Sequence, residues 1–162
     1  MHVLGVARSL VLLALANGAP VIGKKAFGDR LGYPLDGGAI LRDRWPLFGP
    51  SKSIRGIALS VLATAAGAPL VGVTPATGAL MAAAAMAGDL FSSFVKRRLH
   101  RPSSSRALGL DQVPESLAPL LVCRESLGLD IIDIALAVTL FFIGELVLSR
   151  LLYRIHLRDQ PY

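Results

Sequence analysis

Residues 76–99 of the chain read ATGALMAAAAMAGDLFSSFVKRRL, an alanine-rich apolar run that ends in three consecutive cations. An apolar run of about 20 residues is long enough to cross a bilayer as a helix. Small side chains along such a helix let a neighbouring helix pack close to it. The stretch therefore predicts a membrane-spanning helix with a close neighbour and a basic end.

The composition of the whole chain indicates a protein that crosses a membrane several times. Its 162 residues are 53% hydrophobic and only 17% charged, and the mean hydropathy is +0.58. This profile argues against a soluble core, and the length suits one compact bundle. We therefore predict a single integral-membrane domain over residues 1–162. The single cysteine, Cys123, excludes an intramolecular disulfide and is predicted to be a buried thiol.

The apolar runs predict an all-α membrane protein, a bundle of about five transmembrane helices. They cover about residues 3–22, 53–73, 76–99, 113–126 and 131–153. The first run lacks a basic leader and a clear cleavage site, so it is interpreted as a retained span. Pro69 predicts a kink in the second helix. The apolar part of the fourth, residues 117–123, is shorter than an ordinary span of about 20 residues.

The net charge of +6 is concentrated at the ends of the apolar runs. Seven of the 17 Lys and Arg residues lie between Lys24 and Arg55, five between Lys96 and Arg106, and three between Arg150 and Arg158. Five spans place these clusters on one side, which the positive-inside rule makes cytoplasmic. The pattern therefore favours a multi-pass protein of the cell membrane over a basic nucleic-acid binder. The long loop between the first two helices is then cytoplasmic.

Asp89 is the first candidate for a functional residue, because a charge inside an apolar helix costs roughly 2.5–3.5 kcal/mol. Asp89, Ser92, Ser93 and Lys96 share one helical face, and Arg97 and Arg98 extend its basic end. Two alternatives stay open: the cations could only reach lipid headgroups, or Asp89 could pair with Lys96 or an Arg structurally.

A second carboxylate, Asp111, follows one short loop later. Two carboxylates that face one cavity can hold Mg²⁺, with phosphate oxygens completing its coordination. Lys96 and the neighbouring arginines would then neutralise the remaining phosphate charge. Asp89, Asp111 and Lys96 are therefore the predicted catalytic residues, and the two acids are the predicted metal ligands.

The start of the second helix is a candidate anion site. Ser51, Lys52, Ser53 and Arg55 lie there, and a helix N-terminus favours anions through its free N–H groups and dipole. The spacing is not that of a Walker A loop. An alternative explains the pattern equally well: Ser51 or Ser53 only caps the helix, and the basic residues only mark its cytoplasmic end.

Other polar residues have weaker patterns. Asp36, followed by two glycines, predicts a tight turn or a flexible lid over the substrate. Asn17 either caps the end of the first helix or lines the cavity. Asp130 and Asp133 suit the N-terminus of the last helix, and Glu145 is expected to make a structural hydrogen bond across the bundle. The three histidines show no ligand spacing, so a histidine metal site is not predicted.

These elements, in this order, resemble the CDP-archaeol synthase family, small relatives of phosphatidate cytidylyltransferases. The resemblance runs from the segment around Asn17 and Pro20, through the Asp36 turn and the Gly49–Gly56 segment, to the Gly88–Arg98 block and Leu110-Asp111-Gln112. It implies an enzyme that joins CTP to a membrane lipid phosphate in the presence of Mg²⁺. Pyrophosphate is released, and a CDP-activated lipid remains in the bilayer.

By this resemblance, the substrates contact a set of polar and basic residues: Asn17, Asp36, Ser51, Lys52, Arg55, Ser92, Lys96, Arg97 and Arg98. The chain departs from the family pattern at Pro50, where an acid is usual, and after Gln112, where Val113, Pro114 and Glu115 follow. A transporter and a non-catalytic membrane subunit remain alternatives, and the sequence is compatible with a homodimer.

Overall fold

The computed structural model describes residues 2–28, 30–105 and 107–154, so Arg106 and Arg158 of the basic clusters lie outside the described residues. Within these ranges the regular structure is helical, apart from two isolated β-bridges. The α-helices are α1 (Val3–Phe27), α2 (Ile54–Gly67), α3 (Pro75–Arg98), α4 (Gln112–Val122), α5 (Arg124–Leu127) and α6 (Ile131–Arg154). A 3₁₀ turn, Ala68–Val71, continues α2. The all-α membrane fold is confirmed.

Four helical segments are long and apolar enough to cross a membrane. They cover Val3–Phe27, Ile54–Val71, Pro75–Arg98 and Ile131–Leu151. The predicted kink at Pro69 appears as the change from α-helix to 3₁₀ turn. The first helix ends five residues later than predicted, because Pro20 is accommodated inside α1.

The fourth predicted span corresponds to α4 and α5, which are separated at Cys123. Its start lies beside the basic end of α3, where Asp111 contacts Lys96. At its other end, the buried thiol of Cys123 contacts the carbonyl oxygen of Thr77 at 3.9 Å, near the start of α3. The α4–α5 segment therefore runs back along α3 although α4 has only 11 residues.

The crossing segments form a ring in which α1 contacts α2, α2 contacts α3, α3 contacts α4, and α6 closes the ring against α4 and α1. Small residues on α3 allow this packing. A Cβ atom at Gly78 would lie 2.7 Å from the Ala68 Cβ, and one at Gly88 would lie 2.2 Å from the carbonyl oxygen of Pro114. The buried core contains Leu12, Leu13, Met81, Ala85 and Leu120.

Large apolar side chains also cover the outside of the bundle. Leu62, Leu70, Ile132, Ile143 and Val147 are all more than half exposed. Such a surface suits contact with lipid chains rather than water. Polar side chains such as Ser9, Ser60 and Thr64 are instead buried between the helices.

Candidate active site

The first ion pair of the site joins the segment before α2 to the middle of α3. The Lys52 Nζ atom lies 2.6 Å from Asp89 Oδ1 and 2.5 Å from Oδ2, so the ammonium group contacts both carboxylate oxygens. Both side chains are about three-quarters buried. The sequence predicted that Lys52 and Asp89 lie at the same end of the bundle, and the structure brings them into direct contact.

The backbone around Lys52 explains how this lysine is held. Ser53 caps α2 by accepting a hydrogen bond from the Gly56 N–H at 3.1 Å, as predicted for one of the two serines. The N–H of Leu35 donates to the Lys52 carbonyl at 2.7 Å, and the N–H of Ile54 donates to Tyr33 at 3.1 Å. The backbone on both sides of Lys52 is thus tied to the long loop, which fixes its direction.

The second ion pair lies toward the end of α3. Lys96 Nζ is 2.6 Å from Asp111 Oδ1 and also donates to the carbonyl of Ser105 at 3.1 Å. Asp111 Oδ2 accepts the N–H of Ala107 at 2.8 Å. Each predicted catalytic acid therefore has its own lysine, and Asp89 does not pair with Lys96.

The two arginines that follow have different surroundings. Arg97 is almost completely buried, and its Nε atom makes only a long contact of 3.5 Å with the Ser93 carbonyl. Arg98 instead bonds the long loop: it donates to Asp43 and to the Pro46 carbonyl at 2.5 Å each, and lies over the Phe94 ring at 5.3 Å. Of the two arginines, Arg97 is thus better placed to bind an anion inside the bundle.

The long loop is fastened by Asp36, as the predicted turn requires. Its carboxylate accepts the N–H groups of Phe48 at 2.9 Å, Gly49 at 3.1 Å and Gly38 at 3.0 Å. Partial burial raises the pKa of Asp36, but these hydrogen bonds outweigh it and hold the pKa below its ordinary value. The structure therefore gives Asp36 a loop-holding contact rather than an open binding position.

The two loops at this end also touch each other. Ser51 Oγ lies 3.1 Å from Ser103 Oγ, which joins the loop before α2 to the loop after α3. Gly49 has a φ of +94°, and a Cβ there would lie 3.0 Å from Ser103 Oγ. Glycine suits this position for both reasons. Ser103 carries no motif that could have singled it out in the sequence.

Three other predicted binding residues make local structural contacts. Asn17 donates to the Leu13 carbonyl at 3.1 Å, one turn earlier in α1. Ser92, fully buried, donates to the Gly88 carbonyl at 3.0 Å. Arg55 donates to the carbonyls of Gly28 and Arg30. These bonds tie Asn17 and Ser92 to the preceding turns of their own helices, and Arg55 to the chain that follows α1.

Glu115 is an acid that the sequence analysis did not include in the site. It lies on α4, is 7% exposed, and interacts electrostatically with both Asp89 and Lys52. Its side chain is hydrogen-bonded to Glu145 of α6, which confirms the expected bond across the bundle. No periodicity places Glu115 next to Asp89, because that proximity depends on how α3 and α4 pack.

A second group of potential metal ligands lies at the opposite end of the bundle. Ligand atoms of His2, Asp130 and Asp133 lie within 4.8 Å of one another. These atoms bond each other: Asp133 accepts the His2 N–H at 2.9 Å and lies 2.8 Å from His2 Nδ1, while Asp130 accepts the Asp133 N–H at 2.7 Å. The group thereby ties the start of α1 to the start of α6.

The donor set at the basic end fits a hard divalent cation. Asp89 and Asp111 offer oxygen ligands, which Mg²⁺ prefers, and each already contacts a cationic ammonium at hydrogen-bond distance. Lysine and arginine groups beside them suit the phosphates that usually share a bound Mg²⁺. Fold and site together describe a polytopic membrane protein with paired acids and cations at one end of its bundle, groups whose chemistry suits a divalent cation and phosphates.

Comparisons with known proteins identify the family. The family model described as "CarS-like: CDP-archaeol synthase" matches residues 63–162. A CDP-archaeol synthase of Pyrobaculum calidifontis is 34% identical over 157 residues, which cover 91% of each chain. One from Thermococcus onnurineus is 38% identical over 109 residues, covering 60% of this chain and 61% of the relative. The chain belongs to the CDP-archaeol synthase family, which confirms the resemblance inferred from the motifs.

A solved structure has the same fold. It was described as giving structural insight into an intramembrane enzyme for archaeal membrane lipids biosynthesis. It superposes with a TM-score of 0.72 at 26% identity, covering 86% of this chain and 91% of the other. An integral-membrane location is thereby supported independently of the apolar runs.

Proposed function

We propose that the protein transfers CMP from CTP to an archaeol-phosphate-like membrane lipid, leaving a CDP-activated lipid and releasing pyrophosphate. The observation that carries the proposal is the pair of contacts Lys52–Asp89 and Lys96–Asp111 at the basic end of a family member's bundle. Acids that can hold a divalent cation lie there beside cations that can hold phosphates.

The reaction joins two phosphates at the surface of the membrane. An oxygen of the lipid phosphate attacks the α-phosphorus of CTP, and the bond from that phosphorus to the leaving pyrophosphate breaks. A phosphate monoester is already a competent nucleophile near neutral pH, so no protein group has to remove a proton. The protein's task is to position the two phosphates and to neutralise their charge.

Asp89 and Asp111 are the residues that would hold Mg²⁺. The bound ion supplies charge neutralisation for the phosphate oxygens. If the two carboxylates held the cation, the ammonium groups of Lys52 and Lys96 would be the groups that bind the triphosphate. Arg97 adds a buried positive charge for the lipid phosphate or the pyrophosphate, while Arg98 keeps the long loop in place.

The site belongs on the cytoplasmic side of the cell membrane in this proposal. The basic ends of α1 and α3 and the segment before α2 lie there together, and the positive-inside rule assigns such an end to the cytoplasm, where CTP is available. The lipid substrate reaches the site sideways from the bilayer. The proposal does not require a homodimer, because every residue named belongs to one chain.

The proposal is tested by incorporation of radiolabelled CTP into lipid by purified protein with Mg²⁺. Ether-linked and ester-linked lipid phosphates are compared, together with Asp89→Asn, Asp111→Asn and the control Glu125→Gln, which lies exposed on α5. We expect labelled lipid from wild type and control and at least a 100-fold loss in both Asp variants, the range for removal of a group that stabilises transition-state charge. Folded wild type that neither binds CTP nor labels any lipid would refute the proposal.

A further inference from the structure

Glu115 is a buried acid to which the proposed reaction assigns no role. It is only 7% exposed, and its Oε1 atom is enclosed by protein without a hydrogen-bond partner. Burying a carboxylate oxygen that lacks a partner is unfavourable. A buried acid with an unused oxygen, next to a cation site, therefore points to a ligand.

The position of Glu115 is fixed by a close backbone contact. A Cβ atom at Gly88 would lie 2.2 Å from the Pro114 carbonyl oxygen and 2.8 Å from the Glu115 nitrogen. Asp89 follows Gly88 in α3, so the same contact brings the residue after Pro114 close to Asp89. The proximity of the two acids is thus set by the backbone rather than by flexible side chains.

The balance of charge at this point favours an additional cation. Acids come from three helices: Asp89 from α3, Glu115 from α4 and Glu145 from α6. The hydrogen bond between Glu115 and Glu145 requires one shared proton, so this pair carries a single negative charge beside that of Asp89. Lys52 interacts with Glu115 as well. The ammonium group of Lys52 contacts Asp89, so a positively charged side chain already lies beside these acids.

We propose that Glu115 is a further ligand of the divalent cation held at Asp89, and that Glu145 is a positioning residue that orients Glu115 through their hydrogen bond. This inference rests on the proposed function, because the cation is the one that the reaction uses. Mg²⁺ accepts carboxylate oxygens and retains several waters. Among the described residues, Asp89, Asp111 and Glu115 do not form a group of ligand atoms within 4.8 Å of one another, so binding of the ion would have to bring their side chains together.

Binding of Mn²⁺, followed through the electron paramagnetic resonance of the free ion, tests this role without relying on activity. Mn²⁺ takes the same oxygen ligands as Mg²⁺. All proteins carry His2→Ala, which removes the other potential metal group, and titrations are run without and with CTP. Glu115→Gln keeps the size of the side chain, Glu115→Asp keeps its charge, and Glu125→Gln is the matched control.

We expect Glu115→Gln to weaken Mn²⁺ binding by at least about tenfold, within the range seen when groups that support a metal are lost. Glu115→Asp should lose less, and Glu125→Gln should match wild type. Glu145→Gln can still hydrogen-bond Glu115, so its loss should be smaller than that of Glu115→Gln. The melting temperature of Glu115→Gln should stay close to that of wild type, because glutamine keeps the size of the side chain and its amide can donate the hydrogen bond to Glu145.

The outcomes separate the two hypotheses. One outcome is that wild type binds Mn²⁺ and forms the CDP-lipid while Glu115→Gln binds Mn²⁺ equally well. In that case Glu115 is not a ligand: the inference about Glu115 fails and the proposed function stands. If Glu115→Gln loses metal only because it unfolds, its melting temperature falls and the role is structural. If wild type neither binds Mn²⁺ under either condition nor forms the CDP-lipid, the proposed function fails as well.

Discussion

Lys52 contacts a different kind of partner before and after substrate binding in the proposed reaction. Its ammonium lies on both oxygens of Asp89, a pair that is mostly buried and so weakly screened. If the carboxylate held a metal ion, the same ammonium would be available to phosphate. Lys52 therefore neutralises Asp89 in this structure and would contact phosphate in the proposed reaction.

Lys52→Gln should lower kcat/KM for CTP by about 100-fold, the loss expected when a group that stabilises developing charge is removed. Lys25→Gln, an exposed lysine at the same end of the bundle, is the control. Steady-state kinetics with purified protein in lipid vesicles provide the measurement. A Lys52→Gln enzyme within threefold of the control would argue against a substrate contact.

Asp36 gives the long loop a dependence on pH. Its pKa is lower in the folded loop than in an unfolded chain, so its carboxylate stabilises the loop above about pH 4, the ordinary value for Asp. That stabilisation is lost as the pH falls through the lower, folded pKa. Trp45, the single tryptophan, lies in the same loop 5.3 Å from the His100 ring and can report the change.

We therefore expect the Trp45 emission spectrum, measured in a His100→Gln background, to be unchanged between pH 7 and 5 and to shift below pH 4. Asp36→Asn in the same background should show the shifted spectrum already at pH 7, because a single amide oxygen cannot accept all three N–H groups. An Asp36→Asn spectrum identical to wild type at pH 7 would show that the loop does not depend on this carboxylate.

The residue patterns predicted which polar groups meet at one end of the bundle, but not which of them pair. Helical spacing placed Asp89 and Lys96 on one face, whereas the structure gives Asp89 to Lys52 and Lys96 to Asp111. Lys52 and Asp111 both lie outside α3, and whether they contact it depends on the paths of the loops that carry them. Glu115 was noted in the sequence but left outside the predicted site for the same reason, since its neighbours are on α3 and α6.

At the level of helices, α3 and α4 pack closely at Gly88, where an added Cβ atom would lie 2.2 Å from the Pro114 carbonyl oxygen. A methyl group at this position meets backbone atoms, which cannot move aside as a flexible side chain can. The two helices would have to separate, and Asp89 would move away from Glu115. The loss should affect both stability and catalysis.

Gly88→Ala should lower the free energy of unfolding by about 1–3 kcal/mol, the usual range for overpacking, and should also reduce kcat. Gly144→Ala is the matched control, because a Cβ there meets nothing within 4 Å. An alanine in an open helical position is neutral or stabilising. Thermal unfolding in detergent and the CTP assay measure the two effects. A fully active Gly88→Ala protein with an unchanged melting temperature would contradict the close packing.

Helix existence could be predicted well because long apolar runs leave few alternatives in a membrane. Helix ends could not be predicted: α1 continues to Phe27 past Pro20, and the predicted fourth span is divided into α4 and α5 at Cys123. The path of the long loop could not be predicted from the sequence either. It depends on side-chain contacts such as Asp43 with Arg98, which are 55 residues apart.

For the whole molecule, the charge distribution predicts which end faces which side of the membrane. The thiol of Cys123 is buried, so Cys123→Ser provides a background for new reporter cysteines. Ser104 is exposed in the loop after α3, and Ser126 is exposed on α5 at the opposite end. A membrane-impermeant thiol reagent can therefore distinguish the two ends.

Ser104→Cys should react in inverted vesicles but not in intact cells, and Ser126→Cys should show the opposite pattern. Labelling after detergent solubilisation controls for a cysteine that is simply unreactive. The same pattern of labelling at both positions would contradict the five-crossing arrangement, and an exchanged pattern would place the site on the outer side of the membrane.

The shortness of α4 has a consequence for the surrounding bilayer. With 11 residues the helix measures roughly 17 Å, against about 30 Å for a typical hydrocarbon layer. Val113, Leu121 and Val122 are exposed on this helix, so its outer face meets lipid tails. Hydrophobic mismatch of this kind is relieved by local thinning. Headgroups on the α4 side then sit deeper than elsewhere around the protein, and a lipid phosphate arriving there begins closer to the level of Asp89.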